Sequence, residues 1–313
     1  MTDTTASTPS GARPAPGGTF PLGPRAVARI GFGAMQLGEL PGRTLPTDDD
    51  ATAVLRRAVE LGVDHIDTSH FYGDDTANRR IHAALGSADD IAIASKVGAV
   101  RAADPAAPVP LVVAQKPAEL RAQVEQNLRT LGRDHLDLVN LRRTDAGHGI
   151  IATGDQIVPL DDQLAEMIAM RDEGLIRSIG LSNVDAAQLR QALPAGIGEI
   201  QNAYSLVARD DEDLLALAVE HGIAWVPFFP LGSAFPNAPK VADQPAVQRV
   251  AAAVGATSAQ VGLAWLLAHA PNVLLIPGTG SVEHLEQNVA SGSVELTPGQ
   301  IAELDAVAAG VLA

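Results

Sequence analysis

Residues 62–73, GVDHIDTSHFYG, contain a short apolar strand that ends in a polar loop. The strand ends at a carboxylate, Asp67, and the loop behind it carries a phenol, Tyr72. One β/α unit later, residues 91–97, IAIASKV, form a second strand with Lys96 near its end. Because parallel strands bring their carboxyl ends to one edge of a sheet, we expect Asp67, Tyr72 and Lys96 to lie together.

Strand-like and helix-like segments alternate from Arg29 onward, and turn residues mark several helix ends. Thr47 precedes one amphipathic segment as a cap, and Pro117 begins another that ends before Gly132. We expect eight strand–helix repeats with no antiparallel hairpin between them, which indicates a parallel sheet. The predicted fold class is therefore α/β, as a closed (β/α)8 TIM barrel.

An open, doubly wound sheet is the alternative fold. It is weakened because Gly31 and Gly33 lack the third glycine and the following helix of a dinucleotide-binding turn. We expect residues 1–18 to be a disordered tail and residues 19–313 to form a single (β/α)8 barrel domain. Residues 98–117 are rich in alanine and proline and are predicted to be a long loop, either a lid or a poorly ordered insert.

The predicted strands and helices follow one another closely. Strands are expected at residues 29–36, 65–69, 91–97, 135–142, 176–183, 198–205, 223–230 and 273–276. Helices are expected at residues 48–61, 76–85, 117–131, 160–173, 185–193, 210–221, 245–254, 258–269, 282–290 and 298–309.

Composition excludes several classes of function. The net charge is −15, with 22 Lys and Arg against 37 Asp and Glu, which opposes binding to nucleic acid or an anionic membrane. There is no cysteine, so disulfides, thiol nucleophiles and cysteine-based zinc sites are excluded. The sequence shows no secretory leader and no apolar run long enough to span a membrane, so we expect a cytoplasmic protein.

The residue types of the first cluster suit proton transfer. A phenol has an ordinary pKa near 10, so it is a weak acid at neutral pH unless its anion is stabilised. An ammonium such as Lys96 does this, and a carboxylate such as Asp67 holds the ammonium in place. From the residues alone an alternative stays open, in which Asp67 and Lys96 are an ion pair at the barrel mouth and Tyr72 is a rim aromatic.

Five motifs together resemble the aldo-keto reductase superfamily. In chain order they are GVDHIDTSHFYG, IAIASKV, SIGLSN, IQNAY and LLIPGTGSVEHLEQN. The resemblance runs from about Arg29 to Ala290. It implies a (β/α)8 barrel that binds NAD(P)H without a Rossmann fold and reduces aldehydes or ketones to alcohols by direct hydride transfer.

The resemblance also implies the catalytic roles. Tyr72 matches the general acid, Lys96 its pKa-lowering partner and Asp67 the partner of the lysine. Family members usually have a histidine at the end of the fourth strand, where this chain has Arg142, and a bacterial subset is similar to it in having NLRR there. Arginine can hydrogen-bond the carbonyl and stabilise an alkoxide, but it does not titrate near neutrality. The alternative for Arg142 is an ion pair with Asp145.

By the same resemblance, a set of residues is expected to contact the cofactor. These candidates are Gly33, Met35, Ser182, Asn183, Gln201, Phe228, Leu231, Gly278, Thr279, Gly280, Ser281, His284, Gln287 and Asn288. Ser182, Asn183 and Gln201 would hold the nicotinamide carboxamide and Phe228 would stack on its ring. The other interpretations are that Ser182 and Asn183 cap a helix and that Phe228 belongs to the core.

The glycine-rich segment 277–281 precedes a helix and supplies backbone N–H groups suited to a phosphate. NADP(H) is the expected cofactor by resemblance. NAD(H) stays open, because Gly278 and His284 stand where many family members have a lysine and an arginine. The histidines form no metal-binding signature, so we expect no metal, and His70 is assigned either to substrate contact or to loop packing.

The predicted function is NAD(P)H-dependent reduction of a small carbonyl substrate, pyridoxal-like or a simple aldehyde. The alternative is a slow-turnover NAD(P)H-binding sensor or regulatory subunit on the same barrel, and a weaker one is a lyase or isomerase with a Schiff base on Lys96. Arg143 is expected to lie on the solvent side of Arg142. Substrate choice is expected to depend on the loops at 98–117, 143–158 and 232–244 and on the C-terminal tail. The sequence leaves the oligomeric state open.

Overall fold

The structure, a computed structural model, describes residues 14–38, 45–87, 89–102, 104, 110–145, 149–232 and 239–307. Its strands are β1 (Thr19–Leu22), β2 (Arg25–Ala28), β3 (Phe32–Gly33), β4 (His65–Asp67), β5 (Ala92–Arg101), β6 (Leu111–Ala114), β7 (Leu138–Arg142), β8 (Ile179–Ser182), β9 (Ile197–Gln201) and β10 (Ala224–Trp225).

Its helices are α1 (Asp48–Glu60), α2 (Thr76–Leu85), α3 (Pro117–Leu131), α4 (Leu160–Asp172), α5 (Ala186–Ala192), α6 (Glu212–Glu220), α7 (Pro245–Val254), α8 (Ser258–His269), α9 (Val282–Ala290) and α10 (Pro298–Asp305). Short 3-10 helices cover Ala34–Leu37, Gly154–Gln156, Leu193–Ala195, Val241–Asp243 and Ser291–Ser293.

The helix ends follow the capping signals of the sequence. Thr47 caps α1: its side chain accepts a hydrogen bond from Asp50 N, and Asp50 accepts one from Thr47 N, both at 3.1 Å. Pro117 is the first residue of α3, and Gly132 ends that helix in the left-handed region at φ 62°. These three predictions are confirmed.

Seven strands form one parallel sheet in the order β3, β4, β5, β7, β8, β9 and β10. Helices connect the successive strands from β3 onward, as parallel pairing requires. The segment around Val273–Leu275 touches both edges of this sheet. Val273 forms a single parallel bridge with Trp225 of β10, and Leu275 forms one with Ile30, just before β3.

The structure contains two antiparallel hairpins; β1–β2 lies before the predicted strand–helix repeats, whereas β5–β6 lies among them and contradicts the prediction that they contain none. β1 pairs with β2, and β6 pairs with β5, which continues to Arg101. The predicted loop at 98–117 is therefore largely strand where the structure describes it, although residues 103 and 105–109 of that loop lie outside the described part. Composition does not reveal the β5–β6 hairpin, because β6 has only four residues and the prolines between it and β5 indicate a loop.

The first and last predicted strands are shorter than expected. Residues 29–36 contain only the two-residue strand β3, which leads at once into the 3-10 helix Ala34–Leu37. Residues 273–276 contribute isolated bridges only. Apolar composition marked both segments correctly as buried, but it does not determine how many ladder hydrogen bonds a strand makes.

Alternation along the strands divides the sheet into two faces. One face packs against the helices through side chains such as Ile66, Ile93 and Ile200. The opposite face, which we call the inner face, carries a separate apolar cluster. Its members are Leu22, Val27, Ala92, Ala94, Leu138, Ala224, Val226 and Leu274. Because Leu22 and Val27 belong to the β1–β2 hairpin, the hairpin covers the inner face at the amino-terminal end of the strands.

Part of the predicted N-terminal tail is seen. Residues 1–13 lie outside the described part of the chain, whereas residues 14–18 make backbone contacts, including a 3.2 Å hydrogen bond from Ile30 N to Pro16 O. Among the described residues, no single helix is long and apolar enough to cross a membrane. Helices α7 and α8 pass that test only as a pair, and they are bent by 94° where they meet.

Substituting Gly31 by alanine should destabilise the fold. A Cβ atom at Gly31 would lie 2.2 Å from the Nε2 atom of His65, a side chain that is itself buried. We expect the Gly31→Ala variant to lose about 1–3 kcal/mol of unfolding free energy in urea denaturation, as overpacked cores do. The matched control is Gly299→Ala in α10, where a Cβ meets open space and should stabilise the helix by roughly 0.5–1 kcal/mol. Equal changes in unfolding free energy for the two variants would contradict this explanation by packing.

Candidate active site

A buried ion pair lies at the carboxyl end of the sheet. Lys96 Nζ is 2.5 Å from Asp67 Oδ1 and 3.3 Å from the carbonyl oxygen of Thr68. The two side chains are only 5% and 3% exposed, respectively. Burial alone would lower the pKa of Lys96, but the Asp67 carboxylate and the Tyr72 phenol raise it above its ordinary value. The lysine is therefore held as an ammonium ion.

Tyr72 lies over this pair. The Lys96 Nζ atom is 5.1 Å from the centroid of the Tyr72 ring, and Phe71 packs edge-on against the ring at 5.2 Å. Burial raises the pKa of the Tyr72 phenol; Lys96 and Arg142 act in the opposite direction, and Asp67 adds to the increase. Lys96 thus lowers the pKa as predicted for a partner, but burial outweighs it and the net shift is upward.

The two consecutive arginines at the end of β7, Arg142 and Arg143, have different surroundings. Arg143 is 5% exposed and donates to Asp145 Oδ2, to the carbonyl oxygen of Val158 at 3.1 Å and to Gln163 Oε1. The prediction that Arg143 is the solvent-side neighbour is therefore wrong. Consecutive strand residues point to opposite sides, and here the outer side is packed against the start of α4.

Arg142 is left without a comparable partner. Asp145, its alternative partner in the sequence analysis, is taken by Arg143 at 2.5 Å. The Arg142 side chain is half-buried, and no residue in the described ranges accepts a hydrogen bond from its buried Nε atom. Burial lowers the pKa of the guanidinium, an effect that the Tyr72 phenol partly opposes. Even so, an arginine stays charged at neutral pH, and no Asp or Glu in the described ranges forms an ion pair with Arg142, so it presents a positive charge beside Tyr72.

Gln201 joins the ion pair to a second carboxyl group. Its Nε2 atom donates to Asp67 Oδ2 and to Glu199 Oε1, both at 3.0 Å. Asn140 Nδ2 also donates to Glu199 Oε1, at 2.9 Å. Burial raises the pKa of Glu199 to about 7, and the Asp67 charge adds to this, whereas the bonds from Asn140 and Gln201 oppose it.

Glu199 is a residue that sequence reasoning missed. It is a lone acid within the apolar stretch GIGEIQ, so no motif marks it. The available signal was its spacing: it precedes Gln201 by two positions, and alternation along a strand therefore places both side chains on the inner face.

The other two expected carboxamide contacts lie on the neighbouring strand end. Ser182 pairs in register with Gln201, and its Oγ atom is buried without a hydrogen-bond partner in the described residues. Asn183 adopts a left-handed backbone at φ 59° and donates from Nδ2 to the carbonyl oxygen of Arg143 at 2.9 Å. Neither caps the next helix, because Asp185 does so through Gln188 N. The capping alternative is therefore not seen.

Phe228 and Leu231 follow β10. Phe228 is half-buried, packs edge-on against Phe229 at 5.2 Å and donates from its backbone N to the carbonyl oxygen of Asn202. Leu231 lies against α8, since a Cβ atom on Gly262 would come within 2.9 Å of its Cδ2 atom. The half-exposed ring of Phe228 is compatible with stacking on a ligand, whereas Leu231 contributes mainly to packing.

The glycine-rich segment lies beside β3. A Cβ atom on Gly278 would come within 2.4 Å of the Gly33 carbonyl oxygen, and Gly33 is in register with Asp67. The segment leads into α9, with Ser281 as its cap. A cavity of about 270 Å³ opens there; it is lined by Gln36, Leu45, Pro46, Thr279, Gly280, Ser281 and His284.

The remaining candidates flank that cavity. Met35 lies in the 3-10 helix after β3, while Gln287 and Asn288 lie in the last turn and a half of α9. The Gln287 carbonyl accepts from Gln260 Nε2 at 3.0 Å, which ties this part of α9 to α8. The structure therefore brings Asp67, Tyr72 and Gln201 together around Lys96, and Thr279, Gly280, Ser281 and His284 together around the cavity.

His70 belongs to the packing of the loop. It is buried, and Asn127 Nδ2 lies 3.3 Å from its Nδ1 atom, with Phe71 packed against its ring. Burial lowers the pKa of His70 to about 4, so the imidazole is neutral at physiological pH. In the part of the chain that the structure describes, no group of three or more His, Asp or Glu residues is arranged to hold a metal ion.

Comparison with known proteins identifies the family. A sequence profile of the aldo/keto reductase family matches residues 29–309. The chain belongs to the aldo/keto reductase family. The resemblance seen in the five motifs is thus confirmed, and the chain is an oxidoreductase.

Three similar proteins illustrate the match. Pyridoxine 4-dehydrogenase of Escherichia coli (strain K12) is 44% identical over 294 residues, which cover 92% of this chain and 98% of the relative. An uncharacterized oxidoreductase of Schizosaccharomyces pombe is 34% identical over 292 residues, covering 92% and 89% of the two chains. The crystal structure of an aldo-keto reductase from Klebsiella pneumoniae in complex with NADPH has a TM-score of 0.74 at 28% identity, covering 92% and 94%.

Acid should destabilise the protein partly through His70. The pKa of about 4 in the folded state lies below the value of 6.5 for a free histidine, so the unfolded chain binds more protons between these values. Stability contributed by neutral His70 is therefore present above pH 6.5 and is lost as the pH falls towards 4. We expect the unfolding free energy of the wild type to decrease relative to that of His70→Gln as the pH falls from 6.5 towards 4. The exposed His221→Gln variant is the control, and a gap that does not change with pH would refute the assignment.

Proposed function

We propose that the protein is an NADP(H)-dependent oxidoreductase that reduces aldehydes or ketones to alcohols, with Tyr72 as general acid. The observation that carries this proposal is the contact of Tyr72 with the buried Lys96–Asp67 pair at the carboxyl end of the parallel sheet. Family membership supports carbonyl reduction in general.

We also propose that the sheet closes into a (β/α)8 barrel and that residues 19–313 form one domain. Support comes from hydrogen bonds at the seam. Leu274 N donates to Trp225 O at 2.9 Å, Leu275 N donates to Arg29 O at 2.8 Å, and Gly31 N donates to Leu275 O at 2.8 Å. These bonds link β10 to the segment before β3, as an eighth strand would. In such barrels, the active site lies at the carboxyl ends of the strands.

The residues present fit a nicotinamide cofactor. The unpaired, buried Oγ atom of Ser182 and the amide of Gln201 offer a donor and an acceptor for a carboxamide. The cavity beside Thr279 and Ser281 lies at the start of α9, where backbone N–H groups and the helix dipole favour a phosphate. The Klebsiella pneumoniae relative was solved in complex with NADPH. We infer that NADP(H) binds with its nicotinamide near Ser182 and Gln201 and a phosphate in the cavity beside Thr279.

When bound, the nicotinamide supplies a hydride to the carbonyl carbon. Tyr72 donates the phenolic proton to the carbonyl oxygen, so that the two additions together give the alcohol. The resulting phenolate is stabilised by the Lys96 ammonium, which Asp67 holds in place. Arg142 adds a fixed positive charge where negative charge develops on the oxygen. It replaces a histidine in orienting the carbonyl, without carrying a proton.

We further propose a pyridoxal-like substrate, interconverted with the corresponding alcohol. The Escherichia coli relative at 44% identity is named pyridoxine 4-dehydrogenase. The aldehyde of pyridoxal is next to a ring hydroxyl group that ionises readily, and the planar guanidinium of Arg142, whose Nε atom has no partner among the described residues, can bind both oxygens. A simple aldehyde offers the arginine only one acceptor.

Removing the phenol tests the mechanism. The Tyr72→Phe variant should lose roughly 10²–10⁴-fold in turnover, because it lacks the proton donor. Titration with NADPH should still quench the fluorescence of this variant, because the residues proposed to contact the cofactor are unchanged. The assay follows NADPH consumption with pyridoxal as substrate. Wild type that binds NADPH but does not consume it with any aldehyde would favour a sensor instead, and near-normal turnover by Tyr72→Phe would reject the assigned role.

Removing the arginine charge tests substrate recognition. We expect Arg142→Gln to lower kcat/KM for pyridoxal by about 10²-fold, the magnitude found when a donor to a developing oxyanion is removed. With 4-pyridinecarboxaldehyde, which lacks the adjacent hydroxyl, the loss should be smaller. Arg142→Lys keeps the charge without the planar guanidinium. Its kcat/KM for pyridoxal should lie between those of wild type and Arg142→Gln. Equal losses of kcat/KM for both aldehydes would show that the arginine does not bind the second oxygen.

A further inference from the structure

Glu199 is an unusual feature of the inner face. It is 1% exposed, and its Oε1 atom accepts hydrogen bonds only from two side-chain amides, Asn140 and Gln201, among the described residues. No lysine or arginine in the described ranges forms an ion pair with it, since Lys96 is bound to Asp67. A buried carboxyl group is unfavourable, and a well-packed apolar side chain often serves stability as well or better. Packing therefore does not explain the acid.

The contacts of Gln201 indicate what Glu199 does. A side-chain amide nitrogen carries two hydrogens, and Gln201 Nε2 is 3.0 Å from both Asp67 Oδ2 and Glu199 Oε1. Because both neighbours are carboxyl oxygens, the nitrogen end of the amide must face them. The first acceptor determines which end of the amide points inward, and the second prevents rotation of the amide plane.

Glu199 also determines the orientation of the Asn140 side chain. Asn140 directs its Nδ2 atom to Glu199, although this leaves its Oδ1 atom buried without a partner in the described residues. Gly180 makes room for that oxygen, since a Cβ atom there would lie 2.2 Å away from it. Leaving a buried carbonyl oxygen unpaired is unfavourable, so the bond to Glu199 outweighs that cost.

We propose that Glu199 is a positioning residue which, together with Asp67, locks the side-chain amide of Gln201 so that its carbonyl oxygen accepts a hydrogen bond from a nicotinamide carboxamide. This rests on the proposed NADP(H)-dependent function. The lock would fix the rotation of the nicotinamide ring and therefore the ring face from which hydride leaves. Asp67 thus has two roles, because one oxygen holds Lys96 and the other holds Gln201.

The decisive comparison is Glu199→Leu against Glu199→Gln. Glu199→Leu removes the second acceptor, and we expect the Kd for NADPH to rise about tenfold, as the loss of one hydrogen bond of that strength implies. With NADPH deuterated on one face at C4, transfer from the other face should become detectable. Glu199→Gln retains an acceptor oxygen for both amides, so it should restore affinity to within about threefold and restore facial fidelity.

The pH profile supplies a second readout. Glu199 faces Asp67 and, beyond it, Lys96, and its pKa is about 7. Hydrogen bonds to an ionised acceptor are about twice as strong as those to a neutral one, so the lock should weaken as Glu199 gains a proton. The Kd of wild type should therefore rise more steeply than that of Glu199→Gln as the pH falls through 7. Comparing the two proteins at each pH cancels ionisation of the cofactor phosphate.

Asp137→Asn is the matched control. Asp137 is another fully buried acid, which precedes β7 and accepts from Ile93 N at 2.9 Å, at the amino-terminal end of the strand. That variant should change the melting temperature without changing the Kd for NADPH or facial fidelity. Normal Kd and fidelity in Glu199→Leu would overturn the positioning role while leaving the proposed function intact. If Glu199→Leu does not fold, identical pH profiles for wild type and Glu199→Gln would overturn it. Wild type that does not bind NADPH would instead reject the proposed function itself.

Discussion

The ion pair between Lys96 and Asp67 is the constraint on which the rest of the site depends. Both charges are almost fully buried, and two charges are stable in such a place only if their geometry and remaining hydrogen bonds are satisfied. The protein meets that requirement with the Thr68 carbonyl for the ammonium and the Gln201 amide for the carboxylate. Tyr72 contacts the lysine of this pair, and Gln201 donates to its carboxylate. In the proposed mechanism, proton donation by Tyr72 and cofactor orientation by Gln201 would therefore depend on the same ion pair.

Much of this arrangement was predictable from the sequence, because the chemistry lies where apolar runs end. Asp67, Lys96 and Gln201 each end such a run, and their contact follows from parallel pairing. Helix positions followed from local capping at Thr47, Pro117 and Gly132. The motifs led to the correct family. These features depend on local sequence, which can be interpreted without knowledge of the tertiary structure.

What escaped prediction depends on tertiary contacts. The β1–β2 and β5–β6 hairpins are short, and their pairing partners are not encoded in their own composition. The different surroundings of Arg142 and Arg143 depend on Asp145 and Gln163, one of which lies twenty residues away. The raised pKa of Tyr72 reflects desolvation by the folded loop, and no spacing of charges reports desolvation. Glu199 acquires significance only through the amides that surround it.

The β1–β2 hairpin has a consequence for the electrostatics of the whole site. Leu22 and Val27 fill the amino-terminal end of the inner face, so water near the Lys96–Asp67 pair is excluded from below. The opposite, carboxyl-terminal mouth is then the side from which solvent polarises these charges. A ligand seated there replaces that solvent and lowers the effective dielectric constant around the pair, which strengthens every interaction within it. The fold thus already excludes water from one end of the inner face, and a bound ligand would exclude it from the other end.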